Sequence, residues 1–506
     1  MSDQHNANAC GYAGNAVVRT PNLDALAAEG IAFTNAFCNN PICSPSRISF
    51  ITGQYVHTHG YIGNRNAGRS VSNPNTVAYA FKDSGYETAL IGKSHTVPAW
   101  DQESYDFIRY NGFCDADPAD PLTNHYFRYL VDLGLADHYV EGIENRKPVV
   151  PEAYNGSAPW TLPYEHTVEH FTGEQTLQFL QNRDETKPFF ISAGFLRPHD
   201  PYTPSREFFG LYNPDEIPLP DNITDAREGF GSKPAFLQSL AADSFKNRGS
   251  DVNRFDFATG DARVLKRAMA SYYALVSEND YEIGRIISYL KEHGEYDNTI
   301  IIYTADHGDF AGEHGLMAKC FSIYDAIHRI PLVVRYPGCA EGISSDAIVE
   351  SVDIFPTLCE LADVPPPRAL DGQVILDGQL VNGAKTAAFC EASGASAIRT
   401  QDFRYIYHQN GAEELYDYRS DPGEMHNVCR EPAYADIRQD LLRKLLSFTM
   451  NYAKRSDPTS DRHDMGEKED SLVTLLHKKG YRYSQLAGEI GRMGPSALPP
   501  TACSEP

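Results

Sequence analysis

Positive charge is scarce in this chain. Its 44 Lys and Arg stand against 68 Asp and Glu, a formal net charge of −24. That balance argues against a nucleic-acid partner, because affinity for phosphate backbones is built from a basic surface. It also repels polyanions at long range, so any anion site must be locally basic. The ten cysteines, among them Cys10, Cys114, Cys339 and Cys503, include no C-x-x-C pair. They form neither a disulfide framework nor a zinc site. No stretch approaches the about 18 consecutive apolar residues of a membrane span. No internal repeat is visible. No leader-like segment opens the sequence. The expectation is a soluble cytoplasmic protein on the sequence as given, and a periplasmic or secreted one if a leader was trimmed.

What is present reads as an ordinary globular composition, 42% hydrophobic and 22% charged. A chain of 506 residues is too long for one simple core, which predicts two domains. PFFISAG (188–194) and TIIIYTA (299–305) are continuous apolar runs, the signature of strands covered on both faces. VAYAFKDSGY predicts a helix and the following ETALIG a buried strand ending before Lys93. Residues 262–294 predict one long helix. Thr20-Pro21 predicts a helix start, with Thr20 as N-cap and Pro21 at the first helical position. Alternation of this kind gives an α/β fold, a mostly parallel sheet between helices. In such sheets sites form beyond the carboxyl ends of the strands. PPPRALDG (365–372) marks a boundary, which places one domain at 1–375 and a second at 376–506. Beyond it, FRYIYHQ and EELYDYR around Asn410-Gly411 predict an antiparallel hairpin, with a helix at about 435–453.

The chemistry concentrates in a few segments. Cys43 to Gly53 reads CSPSRISFITG, which fits C-x-P-S-R-x(4)-T-G. Alone, Cys43 would be a small buried thiol. Five further segments accompany it: Ser2-Asp3-Gln4-His5, TPNLDALAAEG, Gly92-Lys93-Ser94-His95, Pro198-His199-Asp200-Pro201, and TADHGDFAGEHG (304–315) with Lys319 just beyond. In this order, and with IRTQDFRYIY and ELYDYRSDPGEMHNV later in the chain, they resemble the type I sulfatases of the alkaline phosphatase superfamily. The resemblance covers roughly residues 1–430.

That resemblance implies an alkaline-phosphatase-like mixed sheet between helices, followed by a smaller C-terminal α+β domain on an antiparallel sheet. It implies that a formylglycine-generating enzyme oxidises Cys43 to formylglycine, whose hydrate supplies the nucleophile. It implies one divalent cation held by Asp3, Asp306, His307 and the modified Cys43. Gln4 stands beside them, as a ligand through its amide oxygen or behind the ligands. Calcium favours oxygen donors and the His307 imidazole suits manganese, so calcium is expected and manganese is the alternative. By the same resemblance Arg47 holds the nucleophile's hydroxyl through its donor fork, and Lys93 and Lys319 bind sulfate oxygens. His95 takes the proton that expels sulfate, and His199 protonates the leaving group. Asn64, 21 residues after Cys43, matches a substrate-contacting Asn of the choline sulfatase and phosphonate hydrolase branches; the bottom-up reading is a turn residue. His57 and His59 read as structural.

The expected reaction is hydrolysis of a sulfate monoester, with a sulfated carbohydrate preferred as substrate. A phosphonate monoester or phosphodiester hydrolase, a choline-sulfatase-like enzyme and an inactive paralogue are the alternatives. Residues 100–165, rich in Tyr, Asp and His, are expected to build the substrate rim.

Overall fold

A computed structural model of the chain describes residues 1–64, 76–112, 115, 120–144, 157–224, 230–239, 262–319, 322–366, 370–376 and 385–452. Eight strands form its main sheet: β1 (Ser2–Asp3), β2 (Ile31–Phe37), β3 (Glu87–Gly92), β4 (Phe107–Tyr110), β5 (Phe189–Pro198), β6 (Ile301–Thr304), β7 (Leu332–Arg335) and β8 (Ile343–Glu350). They make two four-stranded parts, β4-β3-β5-β1 and β6-β7-β2-β8. A parallel bridge between Ser2 and Ala305 joins the two. Pairings within the first part are all parallel. In the second part β7 runs antiparallel to both neighbours, and β2 is parallel to β8.

The apolar runs follow from two-sided burial. Ile31, Phe33, Leu332 and Val334 face one core with Ile354 of the helix Ile354–Ala362. The intervening Ala32 and Val333 face the other core, with Leu23 and Leu26 of the helix Pro21–Ala28 and Ile283 of the helix Ala262–Glu292. A period of two feeding two cores leaves no polar face on these strands. Pro21 opens its helix as expected, but Thr20 makes no side-chain cap. Its hydroxyl instead donates to Asp24 Oδ1 at 2.9 Å and accepts from the Gly11 N–H.

A second sheet is wholly antiparallel and ordered β12-β11-β10-β9, from β9 (Ala388–Ala392), β10 (Ala395–Arg399), β11 (Phe403–His408) and β12 (Glu413–Asp417). One face, through Ile398, Tyr405 and Leu415, packs on Leu441, Leu445 and Phe448 of the helix Ala435–Tyr452. The other face, through Ala397, Ile406 and Tyr416, packs on Phe310, Leu316, Tyr324 and Ile327. The second sheet thus backs the segment that follows β6, where the Asp306-His307 pair lies.

Part of the stretch 100–165 is core. Tyr126, Phe127, Tyr139, Trp160 and Leu162 are buried together with Phe171 and Leu196. These aromatics fill a satellite core against β5 and the helix Val168–Asn182. Residues 113, 114, 116–119 and 145–156 of that stretch lie outside the described residues.

Candidate active site

Most of the candidate residues follow strands of the main sheet. Asp3 ends β1, Lys93 and His95 follow β3, His199 follows β5, and Asp306 and His307 follow β6. Cys43 opens the helix Cys43–Thr52 after β2. These strands point the same way, so their carboxyl ends meet along one edge of the sheet. The close approach of β3 and β5 requires glycine: Gly92 has φ +107°, and a Cβ there would lie 2.0 Å from the Gly194 carbonyl oxygen.

The helix that carries Cys43 starts without a side-chain cap from Ile42. Asn64 Oδ1 accepts from the Ser44 N–H at 3.1 Å, and Asn40 Oδ1 accepts from the Ile42 N–H at 2.9 Å. Asn64 therefore holds the helix entry. The dipole of this helix end favours negative charge beside Cys43.

Four ligating side chains converge here. Atoms of Asp3, Cys43, Asp306 and His307 lie within 4.8 Å of one another, all buried. His307 Nε2 is 3.2 Å from Cys43 Sγ, 3.9 Å from Asp3 Oδ1 and 3.8 Å from Asp306 Oδ1. Its Nδ1 meets the Gly308 carbonyl at 2.9 Å, which commits the proton there and turns Nε2 inward. The outer carboxylate oxygens are taken by cations. Lys93 Nζ donates to Asp3 Oδ2, Arg47 Nη2 reaches the same oxygen at 3.4 Å, and Arg47 Nε donates to Asp306 Oδ2 at 2.8 Å. Two carboxylates and an imidazole turned toward one point fit a divalent cation.

Arg47 is tied into the floor of the site. Its fork is occupied by Asp306, Asp3 and the Lys93 carbonyl, at 2.9 Å from Nη1. It locks the two acidic segments together below Cys43. Gln4 is likewise engaged on both sides. Its Nε2 donates to Asp309 Oδ2 at 2.6 Å and its Oε1 accepts from Lys319 Nζ at 2.7 Å. It stands behind the ligands as a strut for Lys319, whose Nζ also lies 3.2 Å from Cys43 Sγ.

Burial alone would push the Cys43 thiol up. Lys319, Lys93 and His307, with a hydrogen bond from His199, hold it well below its ordinary value. The position is therefore tuned for an anion despite the acidity of the chain. Burial and Lys319 would lower the His199 value, but Asp200, Asp3 and the Cys43 contact raise it. His199 Nδ1 donates to the Asp200 carbonyl at 2.6 Å, and the side chain keeps 24% exposure toward solvent. A histidine whose protonated form is favoured in this way, at the mouth of an anion site, suits a proton donor.

Several site residues escaped the sequence reading. Asp309 accepts from Gln4, from Tyr202 Oη at 2.8 Å and from the Ala311 and Ala318 N–H groups, and so sets the turn leading to Lys319. Asp115 clamps the His95 loop, accepting from the Ser94 N–H at 3.0 Å and the His95 N–H at 2.6 Å while His95 sits at φ +51°. Asp101 accepts from Ser94 Oγ at 2.6 Å, Thr96 Oγ1 at 3.1 Å and Tyr110 Oη at 3.2 Å. The available signal was position, since Asp309 lies in the same acidic segment as Asp306. His57 and His59 are structural. His57 Nδ1 pairs with Glu391 at 2.7 Å, and His59 Nε2 meets Ser49 Oγ at 2.9 Å.

Burial raises Asp101 to about 7, opposed by its hydroxyl donors. The folded chain therefore holds a proton that the unfolded chain releases near 3.8. This contribution to stability falls as pH rises from the unfolded value to about 7, by at most about 1.4 kcal/mol per pH unit. Asp101→Asn should flatten that part of the profile. Urea midpoints at several pH values across this window check it, and an unchanged slope would place the proton elsewhere.

The comparisons agree with this geometry. The family model "Sulfatase" matches residues 1–364, and the model "N-sulphoglucosamine sulphohydrolase, C-terminal" matches 312–451. The chain is similar to an arylsulfatase of Clostridium perfringens, 28% identical over 88% of this chain and 92% of the relative. It is similar to an N-acetylglucosamine-6-O-sulfatase of Bacteroides thetaiotaomicron, 29% identical over 90% of this chain and 86% of the relative. In fold it resembles the phosphonate monoester hydrolase of Agrobacterium radiobacter, with a TM-score of 0.72 at 24% identity, covering 89% of this chain and 95% of that one. Among the described residues, no helix is long and apolar enough to cross a membrane. With one family model spanning most of the chain and the fold matching its wider superfamily, this chain belongs to the sulfatase family, the sulfuric ester hydrolases of alkaline-phosphatase-like fold.

Proposed function

We propose that the chain hydrolyses sulfate monoesters of carbohydrates, with Cys43 matured to formylglycine and one divalent cation in the cluster. The observation that carries this reading is Cys43 itself. It is buried at a helix N-terminus, with Lys319 Nζ and His307 Nε2 each 3.2 Å from its sulfur. The substrate class is supported by the N-acetylglucosamine-6-O-sulfatase relative. When both are present, the hydrated aldehyde supplies a nucleophilic oxygen, and the cation supplies Lewis-acid charge.

Asp3, Asp306 and His307 would hold the cation beside the Cys43 position. Its carboxylate donors suit Ca²⁺, and its imidazole suits Mn²⁺. Metal analysis of the purified protein decides between them. Lys319 and Lys93 present their ammonium groups to sulfate oxygens, where charge accumulates as the S–O bond breaks. Gln4 and Asp309 keep Lys319 aimed. Arg47 neutralises the carboxylates below and fixes their spacing. His199 delivers a proton to the oxygen that leaves as an alcohol. His95, fixed by Asp115 behind it, accepts a proton as the sulfate group departs. Asn64 keeps the helix entry in place beside the substrate.

Two measurements test this reading. Peptide mass spectrometry of active protein should show an aldehyde in place of the Cys43 thiol after co-expression with a formylglycine-generating enzyme. Turnover should be found with N-acetylglucosamine 6-sulfate and an aryl sulfate, and should be far slower with an aryl phosphonate. Full activity with an intact Cys43 thiol, or a preference for the phosphonate, would overturn it.

A further inference from the structure

The loop from Arg197 to Ser205 carries His199, and nothing in the chemistry above explains how this segment holds its shape. The helix Ala262–Glu292 grips both ends of it through consecutive residues. Asn279 Nδ2 donates to the Arg197 carbonyl, and Glu278 Oε2 accepts from the Ser205 N–H at 3.1 Å. The middle is held by one guanidinium. Arg197 Nη1 donates to the His199 carbonyl at 2.9 Å and to the Pro201 carbonyl at 2.6 Å, and Nη2 reaches Thr203 Oγ1 at 3.4 Å. Three alternate residues of the loop therefore hang on a single planar group. That group lies over the Trp160 ring, 5.9 Å from its centroid, and the Trp160 N–H donates to the Pro204 carbonyl at 2.8 Å.

Arg197 is only 6% exposed and Glu169 3%. A buried guanidinium needs a countercharge, and Glu169 Oε1 stands 3.9 Å from Arg197 Nε. Glu169 lies in the helix Val168–Asn182, which packs on β5. The ion pair is thus anchored in the body of the domain. The pair serves the loop backbone through the contacts of Arg197.

We infer that Arg197, balanced by Glu169, is a positioning residue that sets the His199 ring against the leaving-group oxygen. The inference rests on the role given to His199 under the proposed function. A single ammonium could hold one of these carbonyls but could not span the planar fan of three acceptors, so lysine is no substitute. A loss of position near 1 Å at a reacting group costs on the order of 10²-fold in rate. The cost should appear only where proton delivery to the leaving group matters.

The test compares 4-nitrophenyl sulfate, whose phenolate leaves unaided, with N-acetylglucosamine 6-sulfate, whose alkoxide needs the proton. In the matured holoenzyme, Arg197→Ala and Arg197→Lys should lower kcat on the sugar sulfate by about 10²-fold. The nitrophenyl ester should change far less, and KM should move little for either. Guanidinium ion in the assay should restore part of the Arg197→Ala loss on the sugar sulfate alone. Should the Arg197 variants fail to fold, Glu169→Gln keeps shape and removes the countercharge, and it should show the same split in weaker form. Equal losses on both esters, or none, overturn the inference. His199→Ala run alongside separates the two levels. If it shows the split and the Arg197 and Glu169 variants do not, only this inference falls. If His199→Ala shows no split, the acid role falls and this inference with it.

Discussion

Cys43→Ala should reduce sulfate-ester turnover to background, a loss on the scale of ~10⁶-fold that follows removal of a nucleophile. The fold should survive. The thiol is 1% exposed and accepts from Lys319 without bearing any backbone contact of its own. Losing one buried sulfur costs about 1 kcal/mol. The expected pattern is therefore an unchanged melting profile with no measurable rate. A rate close to the parent would remove Cys43 from the chemistry, and a collapsed melt would show that its role is packing. Cys43→Ser gives a stricter version. It restores an oxygen at nearly the same place, yet should stay inactive, because a lone hydroxyl lacks the second diol oxygen that lets sulfate depart.

The second large effect is expected at Asp306. Its Oδ2 takes Arg47 Nε at 2.8 Å, and its Oδ1 takes the Gln4 and His307 N–H groups at 3.0 Å each. Asp306→Ala should leave the buried Arg47 charge with half its balance, at a cost of about 3–5 kcal/mol. It should also lower metal occupancy and rate together. Asp306→Asn separates these effects. It keeps an acceptor for both N–H groups but removes the charge, so metal should be lost with a smaller drop in stability. Metal content by elemental analysis, thermal melts and turnover measured on the same samples check this. If Asp306→Ala kept metal and rate at parental levels, the cluster would have been misassigned.

Physical periodicity explains why parts of the molecule were readable from sequence. β6 sits inside its predicted apolar run and β5 starts inside its own, running four residues past Gly194 to Pro198. The long helix and the β11/β12 hairpin follow local rules of period and turn chemistry. β1 could not be read that way. Two residues carry no period, and their strand state is imposed by β5 and by Ala305 far along the chain. The antiparallel sense of β7 is equally invisible, since a buried Val-rich segment looks the same in either direction. The inner residues of the site were legible through their motifs. The outer ones were not, because an isolated Asp such as Asp101 or Asp115 reads as a turn or cap residue. The ion pairs of Arg47 went unseen for a related reason: a motif names a residue without saying which partners its guanidinium meets.

The two halves of the main sheet meet at Ser2 and Ala305, and Asp3 is the next residue after that seam. Consider what this means while the chain is being made. Ser2 lies far ahead of its partners in sequence: one neighbour lies in β5 and the other just beyond β6. One edge of β1 waits for Phe195 and Pro198 and the other for Ala305, and pairings this distant in sequence form slowly. The pocket around Cys43 is walled by Asp306 and His307, so it cannot close earlier either. Throughout that interval the thiol that ends almost sealed from solvent lies open in an unfinished chain, which sets the time available to any enzyme that must reach it.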